Sequence, residues 1–175
     1  MGLKAEPGSS VAALAAEYLD AVSRGEGAAA AERYFHPEIV YIVNGPPTRR
    51  PGVALPALSS ELHSALPWLG IYRGLDEVRT FLTHMRANLD VTRFGPRQVV
   101  GDHERAAVFG WFGLRSQAAD REVRIAFSLL VQAREGKIAR YQFLENTFDV
   151  ALAFRSGGSW AMETDGKTTT VPAER

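Results

Sequence analysis

The sequence predicts an α+β fold in which a curved, mainly antiparallel sheet packs over N-terminal helices. Three long segments with strand composition follow one another between Val99 and Thr147, and only short polar turns separate them. The segments 105–116 and 122–133 carry apolar residues on both strand faces. A sheet with one wet face alternates apolar and polar residues, so these runs indicate that both faces are covered. The helices can cover one face, and the other needs a partner subunit.

The composition is that of an ordinary single domain. The chain has 175 residues, no cysteine, and 20 basic against 20 acidic residues, which gives a formal net charge of +0. The lack of cysteine excludes a disulfide framework and a thiolate metal site. The balanced charge leaves no electrostatic footprint for nucleic acid or anionic lipid. Residues 1–10 lack the apolar core of a signal peptide. We therefore expect a cytoplasmic protein whose partner is neither nucleic acid nor a membrane.

Three helices are predicted before the long meander. Residues 11–23 repeat apolar side chains at three- and four-residue spacing after a serine that can act as the cap. Residues 28–34 are rich in alanine and end before Pro37, which stops a helix. A third helix begins at Leu75, after Gly74, with acidic residues in its first turn. The first two helices should form a hairpin.

The segments between and after these helices are predicted from their residue types. Residues 38–43 are β-branched and aromatic and form the first strand, which ends in a turn. Residues 45–70 are rich in proline but keep leucines at helical spacing, which is typical of a lid that holds one short helix. Residues 91–101 form a strand that is interrupted by a glycine and a proline. A last strand at 138–147 precedes a short helix at 148–154.

No linker or internal repeat divides the chain. We expect a flexible N-terminus over residues 1–9, one domain over 10–155, and a loose tail over 156–175, where apolar residues become scarce.

Two segments carry a resemblance to a known family. They are YRGLDEVRTFL (Tyr72 to Leu82) and REGKIARYQFLENTFDVALAF (Arg134 to Phe154). With the order of elements, they resemble the nuclear transport factor 2-like superfamily and, more narrowly, the SnoaL-like and ketosteroid-isomerase-related proteins over residues 10–155. The resemblance implies a cystatin-like roll, in which a mixed and antiparallel sheet forms a cone around the helices. It also implies an apolar pocket at the wide end and a homodimer through the convex sheet face.

The resemblance to ketosteroid isomerase covers one residue of its catalytic set. In that enzyme a tyrosine and a protonated aspartate donate hydrogen bonds to a dienolate oxygen, and a second aspartate moves the proton. Tyr18 falls at the tyrosine position, and it is equally explained as a core tyrosine. The base position falls at Val43 or Asn44 and the acid position near Ser128, so both carboxylates are missing. The resemblance implies that Tyr18 donates to an oxyanion and that Asn44 orients the substrate.

The resemblance to limonene epoxide hydrolase is similarly incomplete. Tyr41 and Asn44 match a tyrosine and an asparagine of that enzyme with one extra residue between them, and an aspartate of its last strand falls at Asn146. A general base is again missing. His63 in the lid, or Glu145, would have to supply it, because a histidine titrates near neutral pH.

The register of the last strand is left open by the sequence. Alternate residues of a strand point to opposite faces. If the register that the resemblance implies is right, Gln142, Leu144 and Asn146 point into the pocket. If it is off by one residue, Tyr141, Phe143 and Glu145 do.

Aromatic residues supply further candidates for contact with a ligand. Trp68 and Tyr72 flank the end of the lid, where they close over an apolar ligand or plug the open end of the core. Trp111 and Phe112 are adjacent in a strand, so one of them faces the interior. Each is explained by packing or by stacking on a ligand.

The motifs of several site classes are missing from the sequence. No histidine pair has metal-ligand spacing, and there is no phosphate-binding glycine loop or nucleophile elbow. We therefore expect no metal and no cofactor.

Two hypotheses about function remain. The first is a cofactor-free isomerase, cyclase or hydratase of the SnoaL-like kind, which acts on a small hydrophobic carbonyl compound. The second is a non-catalytic module of the same fold that binds an apolar ligand or serves dimerisation. A pocket that contains a carboxylate or histidine with a shifted pKa favours the first.

Overall fold

The structure, a computed structural model, describes residues 10–44, 66, 68–95 and 97–172. These residues form an α+β fold, as the sequence predicts. The helices and strands in this part of the chain are α1 (Val11–Ser23), α2 (Gly27–Tyr34), β1 (Phe35–Val43), β2 (Gly70–Arg73), α3 (Gly74–Asn88), β3 (Leu89–Phe94), β4 (Gln98–Gly101), β5 (Arg105–Ser116), β6 (Arg121–Arg134), β7 (Lys137–Glu145), α4 (Thr147–Phe154), β8 (Ser159–Thr164) and β9 (Lys167–Pro172).

The helices begin and end where local chemistry requires it. The side chain of Ser10 caps α1 by accepting a hydrogen bond from the backbone N–H of Ala13 at 3.2 Å. Gly25 ends this helix region in a left-handed conformation with φ of 76°, which an L side chain rarely adopts. Helix α3 carries Asp76 and Glu77 in its first turn, where carboxylates stabilise the positive end of the helix dipole. The three N-terminal helices therefore lie close to their predicted positions.

The main sheet is mixed, curved and unclosed, with the strand order β2-β1-β7-β6-β5-β3 and β4 paired to β5. Strands β5, β6 and β7 form the long antiparallel meander that the sequence predicts. Strand β1 runs parallel to β7, with Tyr41 opposite Tyr141 and Val43 opposite Phe143. Strand β1 also begins earlier than predicted, at Phe35. Its pairing with β7 shifts register between Phe35 and Val40. This parallel pair joins two segments that are far apart in sequence.

The concave face of the sheet is a continuous aromatic and aliphatic layer. Phe127 lies at the centre of this layer, where its ring stacks on that of Phe143 at a centroid distance of 5.1 Å. Its ring also contacts those of Phe112 and Phe94. Helix α1 covers the layer with Tyr18 and Leu19, both of which are buried. The concave side therefore holds the hydrophobic core.

The convex face is different, because large apolar side chains remain exposed on it. Directly paired residues of neighbouring strands project to the same face. Phe109, Ser128 and Leu144 form one such row across β5, β6 and β7. Phe109 is 46% exposed and Leu144 is 43% exposed. The apolar strands predict that a second layer covers this face of the sheet. In the described part of the chain, no such layer covers this row.

The sequence predicts two irregular segments, a lid over residues 45–70 and a C-terminal tail over residues 156–175. The predicted lid lies almost wholly outside the described residues. Within the predicted C-terminal tail, residues 159–172 form the antiparallel hairpin β8–β9, which the sequence analysis does not predict. Asp165 and Gly166 both have positive φ in its two-residue turn, and this dipeptide is a strong hairpin signal. The hairpin contacts the domain through Trp160, whose ring meets that of Phe148 at 4.8 Å.

No helix in the described ranges is long and apolar enough to cross a membrane.

The face assignment predicts how phenylalanine substitutions affect stability. Phe127→Ala removes a ring from the packed concave layer, so we expect the free energy of unfolding to fall by about 3–5 kcal/mol. Phe148→Ala removes a ring that is 43% exposed, and we expect a loss of at most about 1 kcal/mol. Urea denaturation of both variants measures the difference. Equal losses would contradict the assignment of Phe127 to the concave core.

Candidate functional site

A cavity with a volume of about 240 Å³ lies between the concave face of the sheet, α3 and the corner that joins α1 to α2. Its walls are mostly apolar, and the residues that define its shape are Phe81, Met85, Phe94, Phe112, Leu114 and Phe143. Five lining side chains carry polar groups, namely Tyr41, Thr83, Arg86, Tyr141 and Glu145. An apolar chamber with a few polar groups is the usual form of a small-molecule site.

Glu145 is the carboxylate of this cavity, and Asn44 fixes its position. The side-chain amide of Asn44 donates to Glu145 Oε1 at 3.1 Å. In return, the backbone N–H of Glu145 donates to Asn44 Oδ1 at 2.7 Å. The two residues are 101 positions apart in the sequence. We call this pair of hydrogen bonds the Asn44–Glu145 clamp.

The clamp follows from the way the first and last strands of the domain end together. The backbone N–H of Asn44 continues the parallel pairing by donating to the carbonyl oxygen of Phe143 at 2.8 Å. Asn44 then turns into the left-handed region, with φ of 46°. Asparagine is among the few residues other than glycine that visit this region routinely. This turn brings its amide alongside Glu145 as the chain leaves the sheet.

The environment of Glu145 raises the pKa of its carboxyl group into the neutral range. Burial disfavours the charged carboxylate and raises the pKa of Glu145 to about 7, although the hydrogen bond from Asn44 works in the opposite direction. A carboxyl group with this pKa is part ionised near pH 7. It can therefore accept a proton and return it under the same conditions.

Tyr41 and Tyr141 supply the neutral hydrogen-bond donors of the cavity. Their rings stack at a centroid distance of 4.5 Å with an interplanar angle of 17°. Burial raises the pKa of both phenols, and the charge of Glu145 raises them further. Both hydroxyl groups therefore stay protonated over the physiological range, so each can donate to an oxygen atom of a ligand.

Tyr18 lies behind this pair and does not line the cavity. Its ring meets the edge of Tyr141 at 5.5 Å and is completely buried. Burial and then the neighbouring Tyr41 raise its pKa. The Tyr18 hydroxyl has no well-formed hydrogen bond within the described chain. Tyr18 is therefore not placed for direct contact with a ligand in this cavity, because α1 presents it to the second layer of rings.

Three predicted contact residues project away from the cavity. Gln142 alternates with the cavity-lining residues of β7 and so points to the convex face, and Ser128 is in the exposed row opposite Leu144. Trp111 also lies on the convex side, between the guanidinium groups of Arg93 and Arg124 at 5.2 and 5.0 Å. These three residues do not line the cavity. For Gln142 and Ser128 the strand faces are the reverse of those that the resemblance implies, and for Trp111 the neighbouring residue is the one that faces the interior. Phe112, the neighbour of Trp111, lines the cavity instead.

The remaining predicted residues have structural roles. Trp68 is buried against Phe154 at a centroid distance of 4.9 Å. Tyr72 stacks on Phe81 at 4.3 Å and donates to the backbone oxygen of Trp68 at 2.6 Å, so it supports the cavity wall from behind. Asn146 caps α4 by accepting from the N–H of Phe148. His63 lies outside the described residues.

Among the predicted substrate contacts, Tyr41 is the one that lines the cavity, and Asn44 acts through Glu145. The sequence analysis names Glu145 as an alternative to His63 for the general base, and places it in the pocket only if the register is shifted by one residue. A usable signal was present: Glu145 alternates with Tyr141 and Phe143, and two aromatics in period-two register indicate the interior face. In the described part of the chain, no group of three histidine, aspartate or glutamate side chains is placed to hold a metal ion.

Comparison with solved structures shows the fold. An NTF2-like protein of Burkholderia thailandensis has a TM-score of 0.63 and 16% sequence identity, and the match covers 83% of this chain and 98% of that one. A candidate polyketide cyclase of Xanthomonas campestris has a TM-score of 0.64 and 12% identity, over 83% of this chain and 96% of that one. A candidate isomerase of Rhodopseudomonas palustris has a TM-score of 0.60 and 15% identity, over 81% and 92% of the two chains.

Comparison of the sequence with curated proteins found no match. The family model of the SnoaL-like domain, in contrast, matches residues 15–141. This segment contains most of α1, the cavity-lining part of α3 and most of the sheet. The chain therefore belongs to the SnoaL-like family, and its fold is that of the NTF2-like structures.

Proposed function

We propose that this protein is a cofactor-free enzyme that moves a proton on a small apolar carbonyl compound, with Glu145 as the general base. The observation that carries the proposal is a carboxyl group with a pKa of about 7, held by Asn44 at the wall of an apolar cavity. Solved structures of the same fold that are described as an isomerase or a polyketide cyclase support this reaction class.

The proposed step uses the groups of the cavity in two roles. The Glu145 carboxylate removes a proton from the carbon next to the substrate carbonyl. The electron pair of that C–H bond forms a C=C bond, and the π pair of the carbonyl moves onto its oxygen. Tyr41 or Tyr141 donates a hydrogen bond to the resulting enolate oxygen. In an isomerase the protonated Glu145 then returns the proton to a different carbon. In a cyclase the enolate carbon instead attacks a second carbonyl carbon, and the protonated Glu145 gives its proton to the alkoxide oxygen that forms.

The size of the cavity favours a small substrate. Its 240 Å³ is slightly below the range of roughly 300–1,000 Å³ that is typical of pockets for drug-sized ligands. We therefore propose a compound with about one ring as the substrate. The absence of both ketosteroid isomerase carboxylates at their expected positions also disfavours a steroid.

We also propose that the protein is a homodimer through its convex sheet face. Ile71, Val100, Phe109 and Leu144 are large apolar residues with at least 40% exposure. They lie on β2, β7, β5 and β4, and the first two of these strands are on the opposite side of the sheet centre from the last two. Exposed apolar area that spans a whole sheet is characteristic of a protein interface.

The general-base role predicts the pH dependence of activity. With cyclohex-3-enone as the probe, we expect the wild-type rate of isomerisation to cyclohex-2-enone to rise as pH increases through about 7, as Glu145 ionises. Glu145→Gln should lower the rate by roughly 10²- to 10⁴-fold, because the amide cannot accept the proton. The absorbance of the conjugated product measures both effects.

Two controls make this experiment specific. Glu163→Gln changes an exposed carboxylate on the C-terminal hairpin and should leave the rate unchanged. Tyr41→Phe removes a donor but keeps the base, so the rate should fall while its pH midpoint stays near that of the wild type. If Glu145→Gln isomerises the probe as fast as the wild type does, Glu145 is not the base and the cavity only binds its ligand.

The same carboxyl group predicts how stability depends on pH. The pKa of Glu145 is raised from 4.5 to about 7 by folding, so the folded state binds more protons than the unfolded state between these values. Its contribution is therefore fully favourable below pH 4.5 and is lost as pH rises towards 7, with a slope of at most about 1.4 kcal/mol per pH unit.

Glu145→Gln should remove this slope, so the stability of the variant relative to wild type should improve steadily from pH 4.5 to 7. Urea denaturation at a series of pH values measures the difference. The Glu163→Gln variant serves again as the control. If the free energy of unfolding of Glu145→Gln and of wild type changes with pH in parallel, burial does not raise the pKa of Glu145.

The proposed dimer predicts the effect of a charge on the convex face. Phe109→Asp should give monomers in sedimentation equilibrium, because a desolvated carboxylate disfavours an apolar interface. Met162→Asp is the matched control, since Met162 is also 46% exposed but lies on the separate hairpin. An assembly that Phe109→Asp leaves intact would exclude this face as the interface.

A further inference from the structure

One cation lines the cavity, and its position is informative. Arg86 is near the end of α3, and its side chain is 56% exposed. The same side chain contributes to the cavity lining, beside the corner between α1 and α2. A group that is both exposed and part of the lining marks the place where the cavity meets solvent. We call this place the mouth of the cavity.

The corner between the first two helices leaves room for this guanidinium group. A Cβ atom at position 25 would lie 2.3 Å from Arg86 Nη1 and 2.5 Å from Arg86 Cζ, so any larger residue would displace the guanidinium group from this place. Gly25 also has the positive φ that the end of α1 requires. Gly25 therefore ends α1 and also leaves room for the Arg86 guanidinium group at the mouth of the cavity.

The guanidinium group retains unused capacity for hydrogen bonding. Its nearest carboxylate in the described chain is that of Asp90, and the distance of 3.8 Å is too long for a direct hydrogen bond. Other arginines are bound more tightly: Arg97 contacts Asp20 at 2.7 Å and Arg24 contacts Glu26 at 2.9 Å. Arg86 can therefore exchange a weak partner for a stronger one.

The charges of the cavity also favour an anion at the mouth. Among its described lining residues, Arg86 and Glu145 are the charged groups. A ligand carboxylate is attracted by Arg86 and repelled by the ionised form of Glu145. These two effects orient an amphipathic acid with its carboxylate at the mouth and its apolar part against the aromatic wall.

We infer that Arg86 binds a carboxylate of the substrate, so that the substrate is a small apolar acid rather than a neutral compound. Arginine suits this role because its planar guanidinium forms two parallel hydrogen bonds with a carboxylate. The inference rests on the proposed function for the reacting carbonyl group, which together with the carboxylate defines a keto acid. The charge preference itself can be measured without any reaction.

The test compares two ligands that share their shape and differ in charge. Isothermal titration calorimetry measures the binding of 3-phenylpropanoate and 3-phenylpropanamide to the wild-type protein at pH 7 and low salt. We expect the carboxylate to bind roughly tenfold more tightly, or better, since hydrogen bonds to charged groups are the stronger ones. The preference should decrease as salt is added.

Variants assign this preference to Arg86. Arg86→Met should make the affinities for the two ligands equal, and Arg86→Lys should keep part of the difference because it keeps the charge. Arg79→Met is the matched control, since Arg79 is on the same helix but pairs with Glu32 outside the cavity. Circular dichroism verifies that each variant is folded.

Three results would overturn the inference: equal affinities in the wild type, no binding of either ligand, or an Arg86→Met variant that weakens both ligands alike. Failure of the proposed function gives a different result. In that case the carboxylate preference persists, while Glu145→Gln leaves isomerisation unchanged. The cavity would then be a binding site for small organic acids.

Discussion

The site depends on the parallel pairing of β1 with β7. This pairing brings the ends of two strands, 101 residues apart at Asn44 and Glu145, to the same edge of the cavity. The remaining polar groups of the site are placed by the same two strands, because Tyr41 and Tyr141 are opposite each other in the register. A shift of β1 by one residue would turn Tyr41 away from the cavity, and the same shift of β7 would turn Tyr141 and Glu145 away. The β1–β7 register is thus the constraint on which the chemistry rests.

The fold could be predicted from local patterns. Apolar spacing placed the N-terminal helices to within a residue or two, and continuous apolar runs placed the meander, because both signals depend on neighbours in sequence. The C-terminal hairpin was missed for the opposite reason. Its strands bury little apolar surface, so the only strong signal was the Asp165–Gly166 turn.

The site was harder to predict, because it depends on which face of a strand meets the helices. The chain alternates Gln142 and Leu144 with Tyr141, Phe143 and Glu145, and local sequence alone supports either face as the interior. The resemblance favoured Gln142 and Leu144 as the interior residues, whereas the other three line the cavity. Ser128 was assigned to the interior face in the same way. Arg86 was missed because its importance comes from Gly25, which belongs to a different helix region. Such contacts have no sequence spacing that reveals them.

Asn44 shows how a turn residue can set the working range of a buried acid. Glycine would suit the left-handed backbone at this position but would leave Glu145 without its hydrogen bonds. Aspartate would also tolerate the backbone, yet it would place a second negative charge beside the first and favour the neutral acid still more. The pKa of Glu145 is therefore set by a residue that does not line the cavity. Substitutions at position 44 can change this pKa without altering the surface that a ligand contacts.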